Sequence, residues 1–179
     1  DAVNLAQFNT LDAATSSDIV LTGGVTDAAL AFAAADGTTT AGLTAIAAQD
    51  GDAVITVTDA VNLAQFNTLD AATSSDLVLT GGVSDTAANL SPSGVDSADF
   101  TAAVTQDPDV AVTVTGTNPT VAELNAIAAA TAGTVTATIS GDIATLSGLT
   151  TSSTDAISVT VTDAVSVAQF NTLDGKTNV

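Results

Sequence analysis

The chain has no cysteine, histidine, arginine, tryptophan, tyrosine or methionine, and Lys176 is its one cationic side chain. Each absence removes a class of function. Without clustered lysine or arginine to displace counterions, there is no surface for nucleic acid, for phosphates or for an anionic membrane. Without cysteine or histidine there are no disulfides, zinc–thiolate centres, histidine-ligated haems or Cys/His catalysis. Long hydrophobic runs are also missing. The longest, Ala28–Ala35, is eight residues, far short of a membrane span.

What is present is narrow. Of 179 residues, 36 are Ala, 32 are Thr and 19 are Asp, with one Glu, for a net charge of −19. That charge opposes compaction, but the wealth of Val, Ile and Thr argues for a folded chain over a disordered one. Alanine buries little area per residue, so Leu, Ile, Val and the five Phe must supply most of a core. No signal peptide is recognisable and the chain begins at Asp1, which reads as a folded, soluble segment of something longer.

Self-comparison is more informative than composition. Residues 1–27, DAVNLAQFNTLDAATSSDIVLTGGVTD, return at 59–85 with only Ile19 and Thr26 changed, to Leu77 and Ser84. A third copy opens at Asp163 as DAVSVAQFNTLD. The modules expected are residues 1–58, 59–115 and 116–162, with 163–179 beginning a further, truncated repeat.

Two local patterns alternate within the modules. Short runs rich in Val, Ile and Thr predict strands at Ile19–Thr22, Val54–Thr58, Leu77–Thr80, Val110–Thr115, Thr134–Ser140 and Ile157–Thr162. Between them, apolar residues recur every third position: Leu5, Phe8, Leu11; Leu63, Phe66, Leu69; Val121, Leu124, Ile127; Ile143, Leu146, Leu149; Val167, Phe170, Leu173. That spacing suits short helices burying one edge. Asp59 and Asp163 stand where helix N-caps belong, and Thr120-Val-Ala-Glu123 reads as a capping box. Residues 28–49 and 86–106 are long insertions, read as loops.

A two-turn helix and a five-residue strand cannot bury their own apolar edges, so neighbouring units must stack. The fold expected is an α/β solenoid, with short helix–turn–strand units building one parallel sheet through right-handed crossovers. The alternative is a parallel β-helix whose corners carry the third-position pattern. Tandem β-sandwiches fit less well, because no Asn-Gly or Asp-Gly hairpin turns join the strands.

The strings GTVTATISGDIATLSGL, SVTVTDA and AQFNTLDGKT resemble the tandem repeats of giant bacterial cell-surface proteins of the cyanobacterial type, and the composition is similar to S-layer-like and adhesin repeats. The resemblance spans essentially the whole chain. It implies an extracellular, structural or adhesive protein without enzymatic activity, with calcium as its candidate cation, and it carries no functional residues across. The chain departs from calcium-binding nonapeptide arrays, having no Gly-Gly-x-Gly-x-Asp, and from leucine-rich repeats, lacking their Asn ladder.

Several features could carry chemistry. Asp18, Asp76 and Asp155 precede strands, while Asp27, Asp59, Asp85, Asp142 and Asp163 follow them; capping and turn formation explain such placement. Stacking would also align carboxylates into columns suited to a hard cation. Asp50-Gly-Asp52 and Asp107-Pro-Asp109, at equivalent places in the two longer modules, are therefore the candidate calcium ligands. Thr56/Thr58, Thr113/Thr115, Thr136/Thr138 and Thr160/Thr162 form a Thr-x-Thr face expected in solvent, too uneven in spacing for ice. Phe8, Phe66 and Phe170 share one repeat position and are expected in the core, and Asn89-Leu90-Ser91 is a lone sequon. Evenly spread Asp is unlike a catalytic carboxylate dyad.

The function expected is a structural repeat module: a spacer, surface-layer or filament-forming segment that associates with itself or with flanking repeats. A calcium-stiffened adhesin or ligand-binding module, using residues 28–49 and 86–106, is the other reading.

Overall fold

A computed structural model describes residues 1–177 as a mixed α/β fold with nine α-helices, one 3₁₀ helix and two parallel sheets among those residues. The chain divides into two compact units, one from Asp1 to Val83 and one from Ser84 onward.

The first unit contains α1 (Leu5–Ala14), β1 (Val25–Asp27), α2 (Ala29–Phe32), α3 (Ala41–Gln49), β2 (Ile55–Val57), α4 (Leu63–Asp70) and β3 (Val78–Leu79). Its strands pair in the order β1-β2-β3, all parallel, with Val25 opposite Ile55 and Thr56 opposite Val78. Val3 makes a further parallel bridge to Val25. Phe8, Phe32, Leu43, Ile46, Ile55, Phe66 and Leu69 fill the core.

The second unit follows with β4 (Val83–Thr86), α5 (Ala87–Leu90), a 3₁₀ turn (Pro92–Gly94), α6 (Ala98–Gln106), β5 (Val112–Thr115), α7 (Val121–Ala130), β6 (Val135–Gly141), α8 (Ile143–Leu146), β7 (Ala156–Val161) and α9 (Val167–Asp174). The sheet order is β4-β5-β6-β7, and β6 and β7 pair in parallel along six residues, from Thr136–Ala156 to Gly141–Val161. Along β6, Val135, Ala137 and Ile139 face inward while Thr136, Thr138 and Ser140 face solvent, the period of two that a one-sided strand requires.

Local chemistry accounts for the helices. α1, α4, α7 and α9 each begin with a reciprocal capping box: Asn4–Gln7, Asn62–Gln65, Thr120–Glu123 and Ser166–Gln169. The single-turn helices α2, α5 and α8 are too short to persist alone and are held by packing.

Three sequence expectations need correction here. The segment Ile19–Thr22 is not a strand; the strand lies after the glycines, at Val25–Asp27. The single continuous sheet is instead two, and the glycine pairs are the reason. Gly24 and Gly82 adopt φ of +72° and +77°, and a Cβ on Gly23 or Gly81 would lie 2.3 Å from the Asp1 carbonyl oxygen or 2.0 Å from the Asp59 carbonyl carbon. Only Gly-Gly lets the backbone turn that closely, so β3 stops before Gly81 and β4 starts after Gly82. Where the pair is missing, β6 runs unbroken over seven residues. Finally, the long loops 28–49 and 86–106 are not loops. Each carries two α-helices, capped by Thr40, Thr86 or Ser97 where a side chain caps them, and buries Phe32 or Phe100.

The 58-residue period survives where the sequence has diverged. α1, α4 and α7 begin at residues 5, 63 and 121, and the Val3–Val25 bridge recurs as Val61–Val83.

Candidate functional site

The repeated sequence supplies an internal control, because the same residues sit in different surroundings. In the copy at 59–85, Leu63, Phe66 and Leu69 are all buried and Val78–Leu79 is paired. In the copy at 1–27, Phe8 is buried but Leu11 is 48% exposed, Val20 is 76% exposed, and residues 19–21 pair with no strand. In the copy opening at Asp163, Leu173 is buried while Phe170 is 56% exposed and Val167 is 78% exposed. The expectation that Phe170 lies in the core is therefore wrong: among the described residues it is 56% exposed, where Phe8 and Phe66 are fully buried. Burial here belongs to the neighbour, not to the residue.

The contacts that knit one module to the next explain this. The turn closed by the Ala33–Thr39 bridge offers three carbonyls to α4: Gln65 Nε2 donates to Ala33 at 2.9 Å, Asn62 Nδ2 to Ala35 at 2.8 Å and Thr68 Oγ1 to Gly37 at 2.5 Å. Gly37, at φ +83°, permits this approach, since a Cβ there would come within 2.9 Å of the Ala64 carbonyl oxygen. The equivalent Asn4, Gln7 and Thr10 of α1 are exposed, and the bonds found for them are local. In the second unit Gly94, at φ +80°, meets Ala122 in the same manner, and Glu123 bonds to the backbone of Thr120 and of Ser93. The Thr120 amide, the larger influence, holds the Glu123 carboxyl below its ordinary range.

The aspartates that follow strands act on helices earlier in the chain. Asp59 and Asp163 are not the N-caps of the helices after them; Asn62 and Ser166 are. Instead Asp59 Oδ1 accepts the Ala29 amide at 2.6 Å and Asp163 Oδ1 accepts the Ile143 amide at 2.8 Å, each at the first residue of an earlier helix. Asp27 Oδ2 does the same for Leu5 of α1 at 3.1 Å. A carboxylate at a helix N-terminus answers both an orphan amide and the helix dipole. Asp142 is an N-cap in the ordinary sense, accepting from Thr145, which holds its carboxyl low. Asp155 is buried and accepts the Val135 and Ser152 amides.

A second thread went unread in the sequence. Thr73 Oγ1 donates to Ala53 O, Thr131 Oγ1 to Val110 O and Thr177 Oγ1 to Ile157 O, each reaching the entry of the preceding strand. Thr15, Thr73 and Thr131 are spaced by 58 residues, which is the one clue a self-comparison offers.

The four expected calcium ligands form two separate pairs. Asp50 and Asp107 end α3 and α6, and each carboxyl lies close enough to that of Asp52 or Asp109 to influence its titration. The Leu21 amide bonded to Asp50 Oδ2 is the main reason its carboxyl is held low, and Asp50 in turn pushes Asp52 up. Burial, then the contact with Asp109, pushes Asp107 up. Two carboxylates meet in each turn, and among the described residues no group of three or more acidic side chains is placed to hold a metal ion.

The Thr-x-Thr face is exposed along β5, β6 and β7, as alternation requires. Asn89 lies in α5 with Ser91 fully buried, so the sequon is not an open loop. No helix among the described residues is long and apolar enough to cross a membrane. Comparison with protein-family models, with curated proteins and with solved structures found no match.

Proposed function

We propose that this chain is a stretch of an extracellular structural repeat, a spacer, surface-layer or filament-forming segment, whose modules continue one another as an α/β solenoid. The observation that supports this is the contrast between Leu69 and Leu11, identical in sequence context, one buried between neighbours and one left 48% exposed at the edge of its unit. Modules that complete their cores only through neighbours are built for arrays. The polar knitting supports the same reading, since Asp59 and Asp163 each accept an amide from a helix of the preceding module. No catalytic role is part of it, and its partners are further repeats or further copies.

Light scattering across concentration and ionic strength tests it. Molar mass that climbs with concentration, more steeply as salt screens the net charge of −19, is the expected result. A single monomer mass from micromolar to millimolar protein at every salt would overturn self-association.

The second reading, a calcium-stiffened adhesive module, draws on the contacting carboxylates of Asp50/Asp52 and Asp107/Asp109. Calcium bound there would stiffen the turns between α3 and β2 and between α6 and β5. Mass that rises only with calcium and falls with a chelator would favour it.

A further inference from the structure

We propose that the turn between α5 and α6 holds an ordered water molecule, bonded to Ser91 Oγ on one side of its neck and to Asp96 Oδ1 on the other. The site belongs to a single chain and stands whether or not copies associate.

Its basis is a pair of buried polar atoms. Ser91 is 0% exposed, Asp96 Oδ1 is also closed off from solvent, and neither atom has a hydrogen-bond partner among the described residues. Leaving such atoms unpaired is costly, so folded chains keep few of them. The backbone brings these two together. Ser97 N donates to Leu90 O at 2.9 Å, so the next residues inward, Ser91 and Asp96, stand opposite each other across the neck. Neighbouring donors are already committed. The Gly94 amide goes to Ser91 O, the Val95 amide to Pro92 O and the Phe100 amide to Ser97 Oγ, while the Ser93 amide meets Glu123.

The first unit supplies the comparison. There Thr40 N donates to Phe32 O, and the residues inward are Ala33 and Thr39, joined as an antiparallel bridge. Ala33 is as buried as Ser91 but has no polar side-chain atom, and Thr39 Oγ1 finds the Thr40 carbonyl. The two necks close alike, and the second adds a hydroxyl and a carboxylate at facing positions. One such replacement alone would strand an atom; two that face each other make a site.

Chemistry selects the occupant. An ionised carboxylate only accepts, so whatever lies between must donate to Asp96 while also pairing with the Ser91 hydroxyl. Direct contact between the two side chains would leave neither unpaired. An anion would meet the Asp96 charge. Calcium takes roughly six to eight oxygens, and the neighbouring Glu123 carboxyl is already engaged by Thr120 and Ser93. Water both donates and accepts, and internal waters serve polar groups of this kind.

Deuteron magnetic relaxation dispersion of the solvent detects long-lived internal waters directly. At matched protein concentration the parent should show a contribution that is lost in Ser91→Ala with Asp96→Thr, the pair copied from Ala33 and Thr39. Thermal melts give the second readout. With water in place, Ser91→Ala removes a bond and should lower the melting temperature by about 2–4 °C, and adding Asp96→Thr should recover part of that loss.

Equal dispersion in the parent and the double variant would overturn the site. So would a melting temperature raised by Ser91→Ala, the result expected of a hydroxyl that is simply unpaired. Parent melts that shift when sodium is exchanged for N-methylglucamine at equal ionic strength, with the shift absent in the double variant, would put a cation between the two residues and overturn water as the occupant.

Discussion

The Asp59 carboxylate accepts the Ala29 amide at 2.6 Å across thirty residues of sequence, so one module's strand end caps an earlier helix. Asp59→Ala should cost about 1 kcal/mol, the usual loss for a helix cap, while Asp59→Asn should cost less because its amide oxygen still accepts. Urea denaturation followed by far-ultraviolet circular dichroism measures both. Equal stability of the alanine variant and the parent would mean that water caps α2 as well as Asp59 does.

Two phenylalanines at one repeat position should respond very differently. Phe66→Ala leaves a cavity in a filled core and should cost about 3–5 kcal/mol. Phe170→Ala, at dilution where the chain is monomeric, should change stability by no more than about 0.5 kcal/mol. Comparable losses would show that Phe170 is covered in solution.

The acidic pairs give opposite contributions to pH dependence. Asp107 has its folded value raised, chiefly by burial, so the folded state holds a proton there more tightly than the unfolded chain. Its contribution favours folding at low pH and is lost as pH rises from the ordinary aspartate range through the raised value. Asp50, held low by the Leu21 amide, contributes stability above the ordinary range that is lost as pH falls through its lowered value. Asp107→Asn should therefore raise the melting temperature at pH 7, with the gain shrinking on acidification. A gain that grew on acidification would invert the assignment.

Calcium at these pairs would have two carboxylates to work with, a thin ligand set for an ion that takes six to eight oxygens. With calcium near its dissociation constant at millimolar levels, stabilisation is about 0.4 kcal/mol, or roughly 1–2 °C. Thermal melts with calcium and with a chelator should show a rise of that size, removed by combining Asp52→Asn with Asp109→Asn. Identical melts would remove calcium from the account.

Gly81→Ala places a methyl 2.0 Å from the Asp59 carbonyl carbon, a backbone atom with little room to move. It should abolish folding of the first unit or shift its midpoint by several molar units of urea stability, on the order of 3 kcal/mol or more. Gly51→Ala, whose Cβ meets nothing nearer than 3.5 Å, should be neutral or stabilising by about 0.5 kcal/mol. Hydrogen exchange in β3 and α4 distinguishes local from global loss.

Features set by residues close in sequence were legible before any coordinates. The Thr120–Glu123 box, the third-position apolar pattern and the Thr/Val alternation of β6 each depend on a handful of adjacent residues. The failures share a different cause. Gly23-Gly24 looks like the end of a strand, but its role depends on how closely Asp1 approaches. Asp59 looks like a local cap because its true acceptor role is fixed only when Ala29 arrives beside it. Phe170 cannot be told from Phe66 by sequence, since neighbours decide which is buried. The period running on into α7 is faint but legible, since Ala122, Asn125, Ala129, Ala130 and Thr131 repeat Ala64, Asn67, Ala71, Ala72 and Thr73 at the same spacing.

Capping from a distant aspartate has a consequence for how such a chain can change length. Asp27 serves Leu5, Asp59 serves Ala29 and Asp163 serves Ile143, so every cut between donor and recipient strands an amide. Gain or loss of a whole period hands each helix an equivalent donor and leaves no orphan. A partial insertion separates donor from recipient and leaves both ends exposed to water. Length changes that keep each donor with its recipient should therefore be tolerated better than those that part them.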